Sequence, residues 1–356
     1  MPAAADDRRP SRVLRRALHW WRARSRRTRL GLILGAATVA VMIPIATTQL
    51  DFESAGASGD VPAQSTPDLK TRLELARRYA PVLRLDSKEL FVPISAVQYL
   101  AATDLMSVVG RLKSVLLRSP LLDGLNRDDD CLTAEPACSL FLDVRGANPP
   151  LSRPSAYGKI QRGLMRLGVK PVVYAHVTQY EDAGDYAVQY WFLYLYNYRL
   201  NDHESDWEQI TIHLDKDKQP IEAFYSSHAS GQKRLWSAME KVGTHPVDYA
   251  ARGSHANYFT RGSHPVTILC TPLRKRLNVC VKKRTVLDFA SGTRVLHSGR
   301  DYRIRELIGP AFVGGWGSGN YVAGKKTKDV VSDPRLRPAW DDPLSRFDRA
   351  RLIAKL

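Results

Sequence analysis

The residues Asp202-His203-Glu204-Ser205-Asp206-Trp207-Glu208 form the densest polar cluster of a 356-residue chain. Asp206 and Glu208 are two apart, so on a strand their side chains share a face. His203, expected in the turn before that strand, can fold over the same face. One imidazole with two carboxylates suits a divalent cation, Mg2+ or Ca2+. Glu208 also continues the apolar face of Ile210, Ile212 and Leu214, where a carboxylate needs a cation or hydrogen bonds. The alternative is a tight turn in which Asp206 caps backbone N–H groups and Glu208 pairs with an arginine.

Two further histidines stand in matched contexts. Ser227-His228-Ala229 and Ser254-His255-Ala256 repeat one triplet 27 residues apart, each at the end of an expected strand. If those strands neighbour the Asp206 strand, both imidazoles reach the same end of the fold. His228 or His255 would then be the general base toward a cation-activated water. Arg252 and Arg261 lie close by in sequence, as anion ligands or as solvated side chains. A serine hydrolase is disfavoured. The chain has no G-x-S-x-G elbow, and a serine beside its own histidine is rarely the nucleophile.

The elements that must position these residues are mostly strands. Residues 171–180 alternate and are rich in β-branched and aromatic types, 181–185 read as a turn, and 186–197 are a long aromatic strand, which makes a hairpin. Residues 207–214 alternate cleanly, and 221–227, 247–251 and 266–270 follow. A short helix is expected over 68–80 and a strand over 82–85. Apolar residues at 105, 108, 112, 115 and 116 have helical spacing, so 104–117 is expected as a helix packed on its own domain. Several short strands between turns point to a mainly β fold, a β-sandwich with a few peripheral helices. There is no helix–strand alternation and no Gly-rich phosphate loop, which argues against a Rossmann or P-loop enzyme. Residues 314–343 read as ordered Gly, Pro and Trp loops over the core.

The net charge of +17 invites a nucleic-acid reading, but +8 of it sits in residues 1–30. Residues 30–50 carry no charge and, as a helix, span about 30 Å, the thickness of a bilayer core. Arginines before this segment and acids after it place residues 1–29 in the cytoplasm and the bulk of the chain outside. The expected organisation is a basic tail (1–29), a transmembrane signal anchor (30–50), a flexible linker (51–68), an exported domain (69–343) and a basic C-terminal tail (344–356). The expected location is the cell membrane, with secretion after signal cleavage as the alternative. The basic tail then serves topology and anionic lipid, with no nucleic-acid partner. Four cysteines agree with export. Cys131 with Cys138 and Cys270 with Cys280 is the simplest of three possible pairings.

The segments 79–100, 190–197, 203–214, 225–231 and 246–259, with the closing GGWG and AWDDP, resemble in order the vacuolar protein sorting-associated protein 62 family. That family's biochemistry is largely undefined. The run His203 to Glu208 is also similar to the GHRHDWE heptapeptide of the necrosis- and ethylene-inducing peptide-like proteins. Those are secreted β-sandwich toxins with a bound divalent cation that engage glycosylated sphingolipid head groups. This second resemblance places cation ligands on His203, Asp206 and Glu208. Asp202, Glu204 and Ser205 depart from the motif.

Three functional readings follow. The first is an extracytoplasmic binding module whose cation orients a sugar or phosphate head group of an envelope glycan or lipid, with Arg252 and an aromatic platform from Trp316. The second is a metal-dependent hydrolase on the same pocket. The third is a structural envelope protein without a ligand. No protein partner is indicated.

Overall fold

The computed structural model describes residues 63–352, apart from 110–111, 126–137, 148–152, 167, 200–201, 229, 269–271, 275–276, 281–283, 320, 323–324, 327–330 and 350. The expected tail and anchor (1–50) lie outside the described residues, as do Cys131 and Cys270. Only the backbones of Cys138 and Cys280 are described. No helix among the described residues is long and apolar enough to cross a membrane.

The chain is mainly β, with several sheets and few helices. It begins with β1 (Gln64–Ser65), α1 (Leu69–Arg78), β2 (Val82–Leu85), α2 (Ala96–Ala101), β3 (Thr103–Val109), β4 (Leu112–Arg118), β5 (Cys138–Val144) and α3 (Pro154–Met165). The long strands follow: β6 (Val172–Tyr180), β7 (Tyr186–Asn197), β8 (His203–Leu214), β9 (Pro220–Ser227) and β10 (Ser230–Leu235). Next come β11 (Lys241–Val242), β12 (His245–Ala250), β13 (Asn257–Tyr258), β14 (Gly262–Ile268), β15 (Pro272–Arg274), β16 (Leu277–Cys280), β17 (Arg284–Ala290), β18 (Arg294–Leu296) and β19 (Arg303–Arg305). The chain closes with β20 (Tyr321–Val322), β21 (Lys325–Lys326), α4 (Pro338–Asp341), α5 (Ser345–Arg349) and β22 (Arg351–Leu352).

The central sheet has the order β1-β6-β7-β8-β9-β10-β22, with β19 also on β6. Its middle is the expected β6–β7 hairpin continued antiparallel into β8 and β9. One face carries Tyr190, Ile210, Ile212 and Tyr225. It shares a core with Leu83, Leu85 and Ala250 of a second sheet, ordered β11-β12-β2-β18. The Tyr225 hydroxyl donates to the Val247 carbonyl across this interface at 3.0 Å, and Tyr190 reaches the Ala76 carbonyl of α1 at 3.0 Å. Burying a large side chain of this kind is worth about 1.5–3 kcal/mol, so this interface carries much of the stability. The other face is covered by the C-terminal segment. Gln189 donates to the Ala339 carbonyl at 2.7 Å, and Trp340 stacks on His176 with ring centroids 3.9 Å apart.

Three expectations change. Residues 104–117 do not form a helix but two antiparallel strands, β3 and β4, in a separate sheet ordered β4-β3-β5. The sheets go beyond a plain sandwich, because this unit and the β14–β17 pair form sheets of their own. The central sheet also passes the expected domain limits at both ends. Gln64 and Ser65 of the expected linker pair with β6, and Arg351 and Leu352 of the tail pair with β10.

Candidate functional site

His203 lies inside β8 rather than in a turn before it. The alternation of that strand is broken at Ser205, whose φ of 55° is in the left-handed region. Its hydroxyl donates to the Trp316 carbonyl. Glu204 turns toward β5 and the 314–318 loop. Its carboxylate accepts from the Tyr157 hydroxyl at 2.9 Å and from the backbone N–H groups of Ser318 at 3.2 Å and Val144 at 3.3 Å. Burial pushes the Glu204 carboxyl up to about 8, and the charge of Asp143 adds to that rise. Gly317, with φ 121°, lies so close that a Cβ there would collide with the Glu204 carbonyl. Glutamate at 204 therefore ties the loop down.

Across the break, His203 comes within electrostatic reach of Asp206 and His255. Its Nδ1 donates to the Ser205 carbonyl at 2.6 Å. That tautomer leaves a lone pair on Nε2, the state in which a ligating histidine is held. Burial lowers the pKa of His203, so the ring stays neutral. Asp206 accepts at Oδ2 from His255 Nδ1 at 2.9 Å and from the Asn197 amide at 3.1 Å. Glu208 accepts at Oε2 from the Ser226 hydroxyl. Burial, and then the charge of Asp206, push the Glu208 carboxyl up to about 8. His203 also meets the Glu204 backbone, and among the described residues no side-chain hydrogen bond ends on Asp206 Oδ1 or Glu208 Oε1. Nor do three His, Cys, Asp or Glu side chains there already stand close enough to form a metal cage.

The two Ser-His-Ala histidines do sit near this strand, at different depths. His255 is fully buried between Asp206 and Glu89, with Nε2 3.6 Å from Glu89 Oε1, and it stacks on Tyr194 at 3.9 Å. Burial alone would lower its pKa, but the hydrogen bond to Asp206 and the nearby carboxylate of Glu89 raise it to about 9. Glu89 is held in turn by the backbone N–H of Gly253 at 2.7 Å and that of Phe91 at 3.0 Å. His228 keeps 21% of its side chain exposed and binds Asp288 Oδ2 through Nε2 at 2.8 Å. Burial opposes its charge, but Asp288 outweighs that and raises its pKa. Asp288 also accepts from Ser254 at 2.9 Å and Tyr258 at 3.0 Å. Glu208 and His228 border a cavity of about 70 Å3 with Trp191, Trp207, Ser226 and Arg337.

Two expected ligand-contacting residues have surroundings of their own. Trp316 is wholly buried, donates from Nε1 to Asp333 at 3.2 Å and packs edge-on against Trp207. It is a core residue and not an exposed aromatic platform. Arg252 is half-buried near Tyr198, with its backbone N–H on the Phe289 carbonyl at 2.9 Å. The aromatic wall of the cavity comes instead from Trp191 and Trp207. Sequence reasoning missed Glu89, Asp248 and Asp288. Asp248 is fully buried, and burial followed by the charge of Glu208 drives its carboxyl far up, so it is neutral. None of the three carries a local motif, and each meets its partners only through the fold.

No family model matches the chain, so the resemblance to the vacuolar protein sorting-associated protein 62 family is not supported, and no curated protein matches the chain in sequence. Among solved structures, one described as a toxin fold for microbial attack and plant defense aligns at 16% identity and a TM-score of 0.29, over 56% of this chain and 74% of its own. A second, described as a toxin fold as basis for microbial attack and plant defense, aligns at 16% identity and 0.28, with the same coverage. NLPPya in complex with glucosamine aligns at 15% identity and 0.26, over 56% of this chain and 73% of its own.

Proposed function

We propose that the domain is an extracytoplasmic binding module that takes a divalent cation, Mg2+ or Ca2+, on His203, Asp206 and Glu208 and holds a sugar or phosphate head group beside it. Residues 30–50 anchor it in the cell membrane, or are cleaved to release it.

The observation that carries this reading is the donor set on β8. A neutral imidazole is pinned at Nδ1, and two buried carboxylates each keep one oxygen outside the hydrogen bonds of the described residues. His255 answers charge on Asp206 and Glu89, and Glu208 is left with a serine hydroxyl. Such a carboxyl stays protonated near neutral pH or takes a cation. These are hard oxygen donors with one nitrogen, which fits Mg2+ or Ca2+ by type. The set has to close by side-chain rotation to bind. When bound, the ion supplies positive charge for phosphate or hydroxyl oxygens. Trp191 and Trp207 wall the adjoining cavity, and His228 there, whose pKa Asp288 raises, favours an anionic group.

A metal-dependent hydrolase is the second reading, favoured by the His228–Asp288 pair at that cavity.

The test is calorimetric titration of the full-length chain in detergent, first with Ca2+ or Mg2+ alone and then with glucose 1-phosphate. The expected result is near-stoichiometric cation binding, weakened at least about tenfold in His203→Ala, and a glucose 1-phosphate binding event that appears only when the cation is present and is lost in His203→Ala. Absence of cation binding, or equal binding by His203→Ala, overturns the reading.

A further inference from the structure

The outer face of the second sheet holds a charged recess that shares no residue with the β8 site. Register sets Tyr249, Arg84 and Val295 side by side across β12, β2 and β18. Alternation along β2 sends Leu83 and Leu85 into the core shared with the central sheet and Val82 and Arg84 to the other side. Along β12, Asp248 faces Glu208 and Tyr225 of the central sheet, while Val247 and Tyr249 join Val82 in a separate apolar cluster.

The recess is built with care. The Arg84 guanidinium lies over the Tyr249 ring at 5.6 Å. The Tyr249 hydroxyl donates to Glu240 Oε2 at 2.7 Å, while Glu240 Oε1 is 3.8 Å from Arg84 Nη2. Arg261, from the turn before β14, lies close enough for its charge to act on the same phenol. Gly292 has φ 64°, and a Cβ there would stand 2.6 Å from the Tyr249 ring, so the turn between β17 and β18 lies flush against the tyrosine. Its Ser291 and Thr293 hydroxyls are 3.2 Å apart at the rim. Together these residues line an open recess of about 580 Å3.

Two guanidinium groups face one carboxylate, and that carboxylate spends its short hydrogen bond on Tyr249. Its pairing with Arg84 is loose, so positive charge is left over for an anion. The volume falls in the range of about 300–1,000 Å3 typical of small-molecule sites and is far larger than a bare oxyanion needs. Hydroxyls and a carboxylate at the rim suit a polyhydroxylated body.

We propose that this recess is a second ligand site for an acidic sugar unit, with the sugar's carboxylate or phosphate on Arg84 and Arg261 and its hydroxyls on Glu240, Ser291 and Thr293. This site is independent of the cation reading.

The test is calorimetry on the full-length chain in detergent with chelator present, which silences cation-dependent binding at β8. The probes are trigalacturonate, glucose 6-phosphate, glucose and inorganic phosphate. At least one acidic sugar should bind, and the tighter of the two identifies the oxyanion as carboxylate or phosphate. Glucose should not bind, and inorganic phosphate should bind at least about tenfold more weakly. Added salt should weaken the binding. Arg261→Gln, at an exposed turn position, should raise Kd at least about tenfold without lowering the melting temperature. Glucose or inorganic phosphate binding as tightly as the acidic sugars overturns the proposal. So does an unchanged Kd in Arg261→Gln, or a lack of acidic-sugar binding with chelator present.

Discussion

His228 and His255 are the middle residues of one repeated triplet, and the structure gives both the same left-handed backbone, φ 55°. Their surroundings differ. His255 has no exposed surface and lies between two carboxylates, whereas His228 has a single carboxylate partner and a side that reaches a cavity. The two triplets also cooperate. Ser254 of the second donates to Asp288, the carboxylate that holds the histidine of the first, and Ser227 of the first donates to Tyr258, which donates to Asp288. Matched local sequence therefore fixes matched backbone, while burial and long-range partners divide the roles. His255 is a buried charge that positions Asp206, and His228 is the imidazole available to a ligand.

The comparison is broken most forcefully at Asp206. Asp206→Ala leaves the His255 imidazolium with only Glu89 and should cost about 3–5 kcal/mol in urea unfolding, together with loss of cation binding. Asp288→Asn should cost less, about 1–3 kcal/mol, because His228 is partly solvated and three donors lose only part of their acceptor. Smallest is His228→Asn. Asparagine tolerates the left-handed backbone, so stability should stay within about 1 kcal/mol while sugar phosphate affinity falls measurably in calorimetry.

pH sharpens the same contrast. The folded pKa of His255 is about 9, above its unfolded value of about 6.5, so the folded state binds the extra proton. Its contribution is complete below pH about 6.5 and is lost as pH rises through about 9. Glu208, raised to about 8, acts in the same direction in the metal-free protein, because its folded state also favours the proton. Urea unfolding of the metal-free chain should show stability falling from pH 6.5 to 9. His255→Gln should flatten that slope far more than His228→Asn does.

Much of the central sheet was legible in the sequence because its strands alternate between apolar and polar residues, as in 207–214, even where both faces are buried. The 104–117 segment misled for the opposite reason. Apolar residues at 105, 108, 112, 115 and 116 fit a helical period, but Leu112 and Val115 are exposed on β4 while Leu105 is buried on β3. Two strands of different burial thus imitated one helix, and Gly110 between them was the turn signal to heed. At the site, the Asp206/Glu208 shared face followed from strand geometry alone. The reversal at Ser205 did not, because it depends on the Trp316 loop arriving from 111 residues away. Trp316 itself looked like a surface platform in a Gly-rich loop, yet Gly317 serves to press that loop onto Glu204.

The central claim is that β8 holds a cation. The most direct measurement is the thermal melting of the full-length chain in detergent, metal-loaded and then treated with chelator. A cation at one hundred times its Kd stabilises the folded state by about 2.7 kcal/mol, so chelation should lower the midpoint by about 5 °C, and readdition of Ca2+ or Mg2+ should restore it in the wild type but not in Asp206→Ala. Midpoints that coincide with and without chelator would contradict the account and leave the Asp206–His255–Glu89 cluster as a structural device.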